Sequence, residues 1–331
     1  MYELITKTIP MNHFLRLKHF LLIAVITSLT FSCDVGDDTP ITSENIVAVA
    51  QNANLSSLVS ALDSANLTAV LETNGPFTVL APSNAAFDTF LSANGFSSLD
   101  EVPVELLTEV LLNHVLSGSI TSSTLTGLGV GYATTLATTP ASSTGVSIYF
   151  DTSSGVRFNN QSSVTQADIP ASNGIVHIVD TVIDLPTVVT FVTADERFSA
   201  LAGALTAPGQ PNFLSTLSTP NETAPAPFTI FAPSNDAFNA LAEVPTGDLL
   251  TAVLEHHVIA GNNIVASQIE DESISPPTLE GDLLSFNVLG SIITITDGTG
   301  NANANVVGAN IQAVNGVIHV IDDVLIPNTT N

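Results

Sequence analysis

Two rhythms of apolar and polar residues run along this chain, and the same order of rhythms occurs twice. The stretch ENIVAVAQNANLSSLVSALDSANLTAVL at 44–71 places apolar residues at helical intervals with polar residues between them. FTVLA at 77–81 predicts a short strand that stops at Pro82, and Ser83 or Asn84 can cap the helix that AAFDTFL begins. A further helix is predicted from Pro103 through ELLTEVLLNHVLSG, closing at Gly118. Strand-like pieces follow, GVSIYFD, GVRFNN and GIVHIVDTVI, separated by Ser, Thr, Asn and Gly. Helices in the first half and strands in the second predict an α+β module whose strands pack as one antiparallel or mixed assembly.

The repetition is literal in places. FTVLAPSNAAF at 77–87 returns as FTIFAPSNDAF at 228–238, and NGIVHIVDTVI at 173–183 returns as NGVIHVIDDVL at 315–325. Leu55, Leu58 and Leu62 match Phe198, Leu201 and Leu205 at an offset of 143, the APSN segments match at 151, and His114 and His257 return to 143. The second copy therefore carries about eight extra residues within 206–227, a Pro-rich stretch that reads as a surface loop, and the first has its own extra stretch around 90–102. Each unit is about 140 residues long, ample for one hydrophobic core. The expected boundaries are 44–185 and 186–328, with a linker of a few residues around Pro186 that limits the relative orientations of the modules.

The N-terminus bears on the compartment. Arg16 and Lys18 precede the short apolar run FLLIAVITSL, which reads as an export signal over residues 1–32 and is too short for a stable transmembrane helix. Cys33 is the only cysteine, so a disulfide within the chain is not its purpose. The segment ending there resembles a bacterial lipobox, by which Cys33 would become the acylated first residue. Asp34, Asp37 and Asp38 would then belong to an acidic tether over 33–43. The expected location is the outer membrane or cell surface, or its periplasmic face, with the lipid as the only membrane contact.

From Cys33 onward only Arg157 and Arg197 are basic, against thirty acids, a formal charge of −28. Such a surface repels phosphate backbones, which excludes nucleic acid as a partner, and it leaves self-association dependent on screening or a bridging cation.

Four histidines are the obvious chemical candidates. Leu107, Val110, Leu111, His114 and Val115 share one helical face, as do Leu250, Val253, Leu254, His257 and Val258, so His114 and His257 are expected to face the core. His177 and His319 lie in strands apolar on both faces, the mark of buried central strands. Neutral imidazoles bonded to backbone or hydroxyl groups account for all four. Asp180 and Asp322 follow the strand histidines by three residues and point to the opposite face. The chain has no HExxH, GxSxG, CxxC or Walker loop, and Ser83 and Ser234 read as helix caps rather than nucleophiles. DGTGNANAN at 297–305 has oxygen-rich spacing that could hold calcium weakly but reads as a hairpin loop. No enzyme activity, catalytic residue, cofactor or metal ligand is assigned.

Thr78 to Phe87 and Thr229 to Phe238 resemble the first characteristic segment of fasciclin domains, with Thr78, Pro82, Ser83 and Asn84 in one copy and Thr229, Pro233, Ser234 and Asn235 in the other. Gly174 to Ile183 and Gly316 to Leu325, containing His177 and His319, resemble the second segment, and NHVLSG and HHVIAG occupy the intervening helix end. The resemblance implies two tandem modules, each a β-wedge or sandwich of about seven strands with flanking helices, extracellular and associated with adhesion. In animal members a Tyr-His pair in the middle segment is tied to integrin contact. Asn113–His114 and His256–His257 stand at that place here, so only the histidines carry over. The function this implies is surface contact with matrix, glycan, protein or neighbouring cells. The alternative is a carrier of a small apolar molecule such as a pigment or lipid.

Overall fold

The repeated FT-x-x-AP segments form the central strand of each of two sheets. In this computed structural model, which describes residues 44–142 and 144–328, the first sheet contains β1 (Phe77–Pro82), β2 (Val115–Ser117), β3 (Val130–Thr134), β4 (Ser147–Asp151), β5 (Arg157–Phe158), β6 (Ser162–Ala171) and β7 (Gly174–Val179). Its order is β2-β1-β7-β6-β5-β4-β3. The second contains β8 (Phe228–Pro233), β9 (Val258–Ala260), β10 (Ser285–Leu289), β11 (Ile292–Thr296), β12 (Ala304–Ala313) and β13 (Gly316–Ile321), in the order β10-β11-β12-β13-β8-β9. β1 with β7 and β8 with β13 run parallel, and every other pairing is antiparallel, so each domain is an α+β unit on a mixed sheet. The expected export segment 1–32, Cys33 and the 33–43 tether lie outside the described residues.

Both faces of the central strands are buried, which is why their sequences are nearly all apolar. Val79 and Ala81 pack into a core beneath the helices, and Leu80 between them packs into a second core with Leu116, Ile148, Phe150, Phe158 and Val179. The second domain repeats this period of two: Ile230 and Ala232 face the helices, and Phe231 faces a core with Ile259, Phe286, Ile295 and Ile321. The sheet closes on itself in each domain, through a bridge from Leu116 to Thr135 in the first and from Ile259 to Thr278 in the second.

The strand count of about seven per module holds, with seven in the first sheet and six in the second, but several finer expectations need correction. The chain that would match β3 makes only isolated bridges at Ile274 and Thr278, and between them lie Pro276 and Pro277, which have no N–H to donate to a ladder. The helical run at 44–71 is three helices, Ile46–Asn52, Ser56–Ser64 and Thr68–Leu71, separated by Asn54 and Asn66 in the left-handed region (φ 58° and 55°). The helix expected to reach Gly118 ends at Leu112, and Val115 begins β2 instead of continuing the helical face. A single Val in β2 and a Val-Ile pair in β9, each at a helix end, gave no signal of these short strands. The Pro-rich stretch 206–227 is not all surface loop, because helix Phe213–Leu217 buries Phe213 and Leu217 in the second core.

The junction between the domains is a packed interface. Tyr132 of β3 packs edge-on against Phe191, with ring centroids 5.4 Å apart, and its hydroxyl donates to the buried carboxylate of Asp195 at 2.9 Å. Arg197 grips the same carboxylate through Nε at 3.0 and 3.1 Å and Nη2 at 2.6 Å, and its guanidinium lies 5.7 Å from the centre of the Tyr132 ring. Around this contact the Ser147 hydroxyl accepts from the Gln312 N–H (3.0 Å), Thr139 donates to the Val314 carbonyl (2.7 Å), and Val314 N–H donates to the carbonyl of Pro186 (2.9 Å). Tyr149 completes the seam from β4 and is buried in the core of the second domain.

Replacing Tyr132 with Ala is expected to remove about 3 kcal/mol from the coupling of the domains and to split one cooperative calorimetric transition into two. Tyr132→Phe, which strips only the donor to Asp195, should cost about 1 kcal/mol and keep a single transition.

Candidate functional site

The repeated motif residues converge inside each domain, where they join segments distant in sequence. Thr78 is buried, donates its hydroxyl to the Gly118 carbonyl (2.7 Å) and accepts from Ile120 N–H (2.8 Å). Thr229 repeats this with the Asn262 carbonyl and Ile264 N–H, both at 2.8 Å. Pro82 and Pro233 close the central strands, after which Ser83 and Ser234 cap the helices Asn84–Ala93 and Asn235–Ala240 by accepting from Ala86 and Ala237 N–H. Asn84 and Asn235 reach back to the earlier helices, accepting from Ser57 and Ala200 N–H and donating to the Asn54 and Glu196 carbonyls.

His114 and His257 are fully internal clamps. Each donates Nδ1–H to a carbonyl one turn earlier (Val110 and Val253, both 2.7 Å) and accepts at Nε2 from a backbone N–H after the last strand (Ile183 and Leu325, both 2.9 Å). This fixes the neutral tautomer, since one ring nitrogen donates and the other accepts. Burial drives both pKa values down to about 4. His177 and His319 sit at the centre of β7 and β13 and donate Nε2–H to the Ile120 and Ile264 carbonyls at 2.9 and 2.8 Å, while Nδ1 of His177 accepts from Asp168 N–H. Asp180 and Asp322 turn to the neighbouring strand and accept from Ser163 and Asn305 N–H.

The positions that the resemblance linked to partner contact are also internal. Asn113 is 0% exposed and donates to the carbonyls of Ile183 and Asp184; His256 is 0% exposed and accepts at Nε2 from Gly298 N–H at 3.2 Å. With His114 and His257 also buried, none of the four offers an exposed contact surface. The loop after β11 joins it to β12 as a hairpin, and its Asp297 is occupied with internal bonds from Thr299, Asn301 and Ile326 N–H.

Two sets of residues escaped the sequence reading. Asn173 and Asn315 each bind the first helix of their domain (Ile46 and Val188 N–H) and the third (the Leu71 and Thr73 carbonyls, and the Leu217 and Thr219 carbonyls). Their signal was present, since both copies keep Asn-Gly at this place. The glycine is forced by close approach: a Cβ on Gly174 or Gly316 would meet the carbonyl oxygen of Phe77 or Phe228 at 2.0 or 2.4 Å. The Tyr132–Asp195–Arg197 contact had no signal from repetition, because neither copy repeats it.

Each half of the chain is thus a closed mixed sheet fastened by buried Thr, Asn and His. Comparison with known proteins gives its family: the fasciclin domain model matches residues 53–186 and 196–327, and the chain belongs to that family. It is 28% identical over 265 residues to transforming growth factor-beta-induced protein ig-h3 of Sus scrofa, an alignment covering 78% of this chain and 36% of the relative. To human periostin it is 27% identical, covering 81% of this chain and 30% of that protein, so the chain spans about a third of these relatives. The uncharacterized protein sll1735 of Synechocystis is 35% identical, with 43% of this chain and 98% of the relative aligned. A solved domain pair from the insect cell adhesion molecule Fasciclin I aligns with a TM-score of 0.45 and 18% identity, over 83% of this chain and 95% of that one.

The histidine clamps make stability pH-dependent. The folded protein holds His114 and His257 near pKa 4 against 6.5 for the free side chain, so the unfolded chain binds more protons between these values. Their stabilisation is complete above pH 6.5 and is lost as pH falls toward 4, about 3 kcal/mol for each histidine. Urea unfolding followed from pH 7 to 4 should show this slope, and His114→Gln should remove about half of the histidine part.

Proposed function

We propose that this protein is an exported surface protein, anchored by a lipid on Cys33, whose two fasciclin domains act as one rigid unit in adhesion to matrix, glycan or protein on a neighbouring surface. The observation that carries the reading is the domain junction. Tyr132, Asp195 and Arg197 hold the domains in one arrangement, and a fixed pair presents its outer faces at a set spacing, as bivalent contact requires. The buried histidines and motif residues are spent on internal hydrogen bonds, which supports a binding role over a catalytic one. The residue boundaries 44–185 and 186–328 are part of the same proposal.

The cleft of about 560 Å³ at the junction supports contact with a polar partner more than carriage of an apolar molecule: Asn159, Asn160, Gln161, Asp184, Thr187 and Thr190 line it, with Val189 and Ala194 as its apolar members. Among the described residues no helix is long and apolar enough to cross a membrane.

Beads coated with the protein should aggregate, or bind purified surface polysaccharide, in a manner that survives high salt. Aggregation that disappears with screening would leave only non-specific charge effects, and none under any condition would remove the adhesive reading. Mass spectrometry of the native protein should find its first residue to be a diacylated or triacylated Cys33; an unlipidated N-terminus elsewhere would remove the anchor.

A further inference from the structure

His256 ends the helix Gly247–His256 with its side chain 0% exposed and its Nδ1 lacking any hydrogen-bond partner. An unpaired buried ring nitrogen is unfavourable unless something meets it. What faces it is Oε2 of Glu280, 3.4 Å away, and one ligand-type atom from each of His256, Glu280 and Asp282 lies within 4.8 Å of the others. The two acids sit on a tight turn in which Thr278 N–H donates to the Asp282 carbonyl and Asp282 N–H donates to Oε2 of Glu280, while Oδ2 of Asp282 accepts from Asn328 N–H. The carboxylates are therefore held in place by the backbone.

We propose that His256 Nδ1, Glu280 and Asp282 form a binding site for a divalent transition-metal ion of the Zn²⁺ class in the second domain. A separation of 3.4 Å is long for an N–H···O bond but matches one edge, about 3.3 Å, of a tetrahedron with metal–ligand bonds of about 2.0–2.1 Å; the remaining ligand atoms, within 4.8 Å, would draw in on binding. The imidazole nitrogen favours Zn²⁺ or a neighbouring first-row ion over Ca²⁺ and Mg²⁺, which prefer all-oxygen shells. Three protein ligands leave a fourth position for water or for a donor group from a partner.

The first domain provides an internal contrast. Asn113 stands where His256 does and spends its amide on the Ile183 and Asp184 carbonyls. The bridges Leu116–Thr135 and Ile259–Thr278 align Glu280 with Ala137 and Asp282 with Thr139, so the first copy has neither carboxylate. The site belongs to one copy, which is why comparing the repeats does not reveal it.

Binding has a structural consequence. As the ring stands, Gly298 N–H donates to Nε2, which puts the ring hydrogen on Nδ1. A metal binding at Nδ1 requires the ring hydrogen to move from Nδ1 to Nε2, which then no longer accepts, and the Gly298 amide must turn away. The ring neither gains nor loses a proton overall. Occupation of the site is thus coupled to the hairpin between β11 and β12.

Calorimetric titration of the full chain with ZnCl₂, over millimolar Ca²⁺ to mask the acidic surface, should show one saturable site, and Co²⁺ should give visible bands of a low-symmetry site. Zinc should also shift the Gly298 and Thr299 amide resonances. Glu280→Gln, at a partly exposed position where the amide oxygen can still accept from Asp282 N–H, should weaken zinc by at least the 10–100-fold typical of losing even a supporting partner, and His256→Asn, the residue of the first copy, should do the same. The proposal is overturned by zinc uptake that never saturates, by Glu280→Gln binding as tightly as the parent chain, or by saturable binding that leaves Gly298 unmoved.

Discussion

Each domain depends on one parallel strand pair, β1 with β7 in the first and β8 with β13 in the second. Parallel neighbours cannot be joined by a tight turn, so the chain must leave after the first strand, build helices and outer strands, and return beside it. More than half of each domain is consequently made between two strands that must finally meet, with only the first helices preceding them. Buried on both faces, those strands have no water to satisfy stray polar groups, and every side chain on them that is not apolar must be bonded. The threonine at the start of one strand and the histidine within the other do this by binding the same crossing segment, at Ile120 in one domain and Ile264 in the other. The polar motif residues are thus stitches holding the long connection against the pair.

The amino-acid pattern revealed what such a pair imposes. Its apolar runs, the prolines closing the strands, the capping serines and the inward histidines were legible because each follows from local chemistry and recurs in both copies. Strands β2 and β9 were not legible, since three residues at a helix end carry no period. The breaks at Asn54 and Asn66 were obscured because Asn is also acceptable within a helix and only its left-handed conformation marks the ends. The Tyr132–Asp195–Arg197 contact and the His256 cluster were hidden for a different reason. Each joins residues far apart in sequence and occurs once, so neither spacing nor repetition points to it.

The two copies have diverged where the parallel pair does not constrain them. The first domain turned β3 and β4 into a platform for its neighbour, with Tyr132 and Tyr149 directed into the other core. In the second, the segment that would match β3 makes only isolated bridges, and just after it Glu280 and Asp282 come together with His256. A duplicated fold thus supports one copy used as a dock and another carrying a side-chain cluster, while both keep the same stitches.

Closure of each sheet has a consequence for how copies of this protein meet one another. An open sheet edge displays unpaired backbone groups to which any neighbouring strand can add, and fibrous association follows. Here Leu116 meets Thr135 and Ile259 meets Thr278, so part of each edge that would recruit strands is already paired within the domain. A strand from a neighbouring molecule would have to displace these bridges to extend the sheet there.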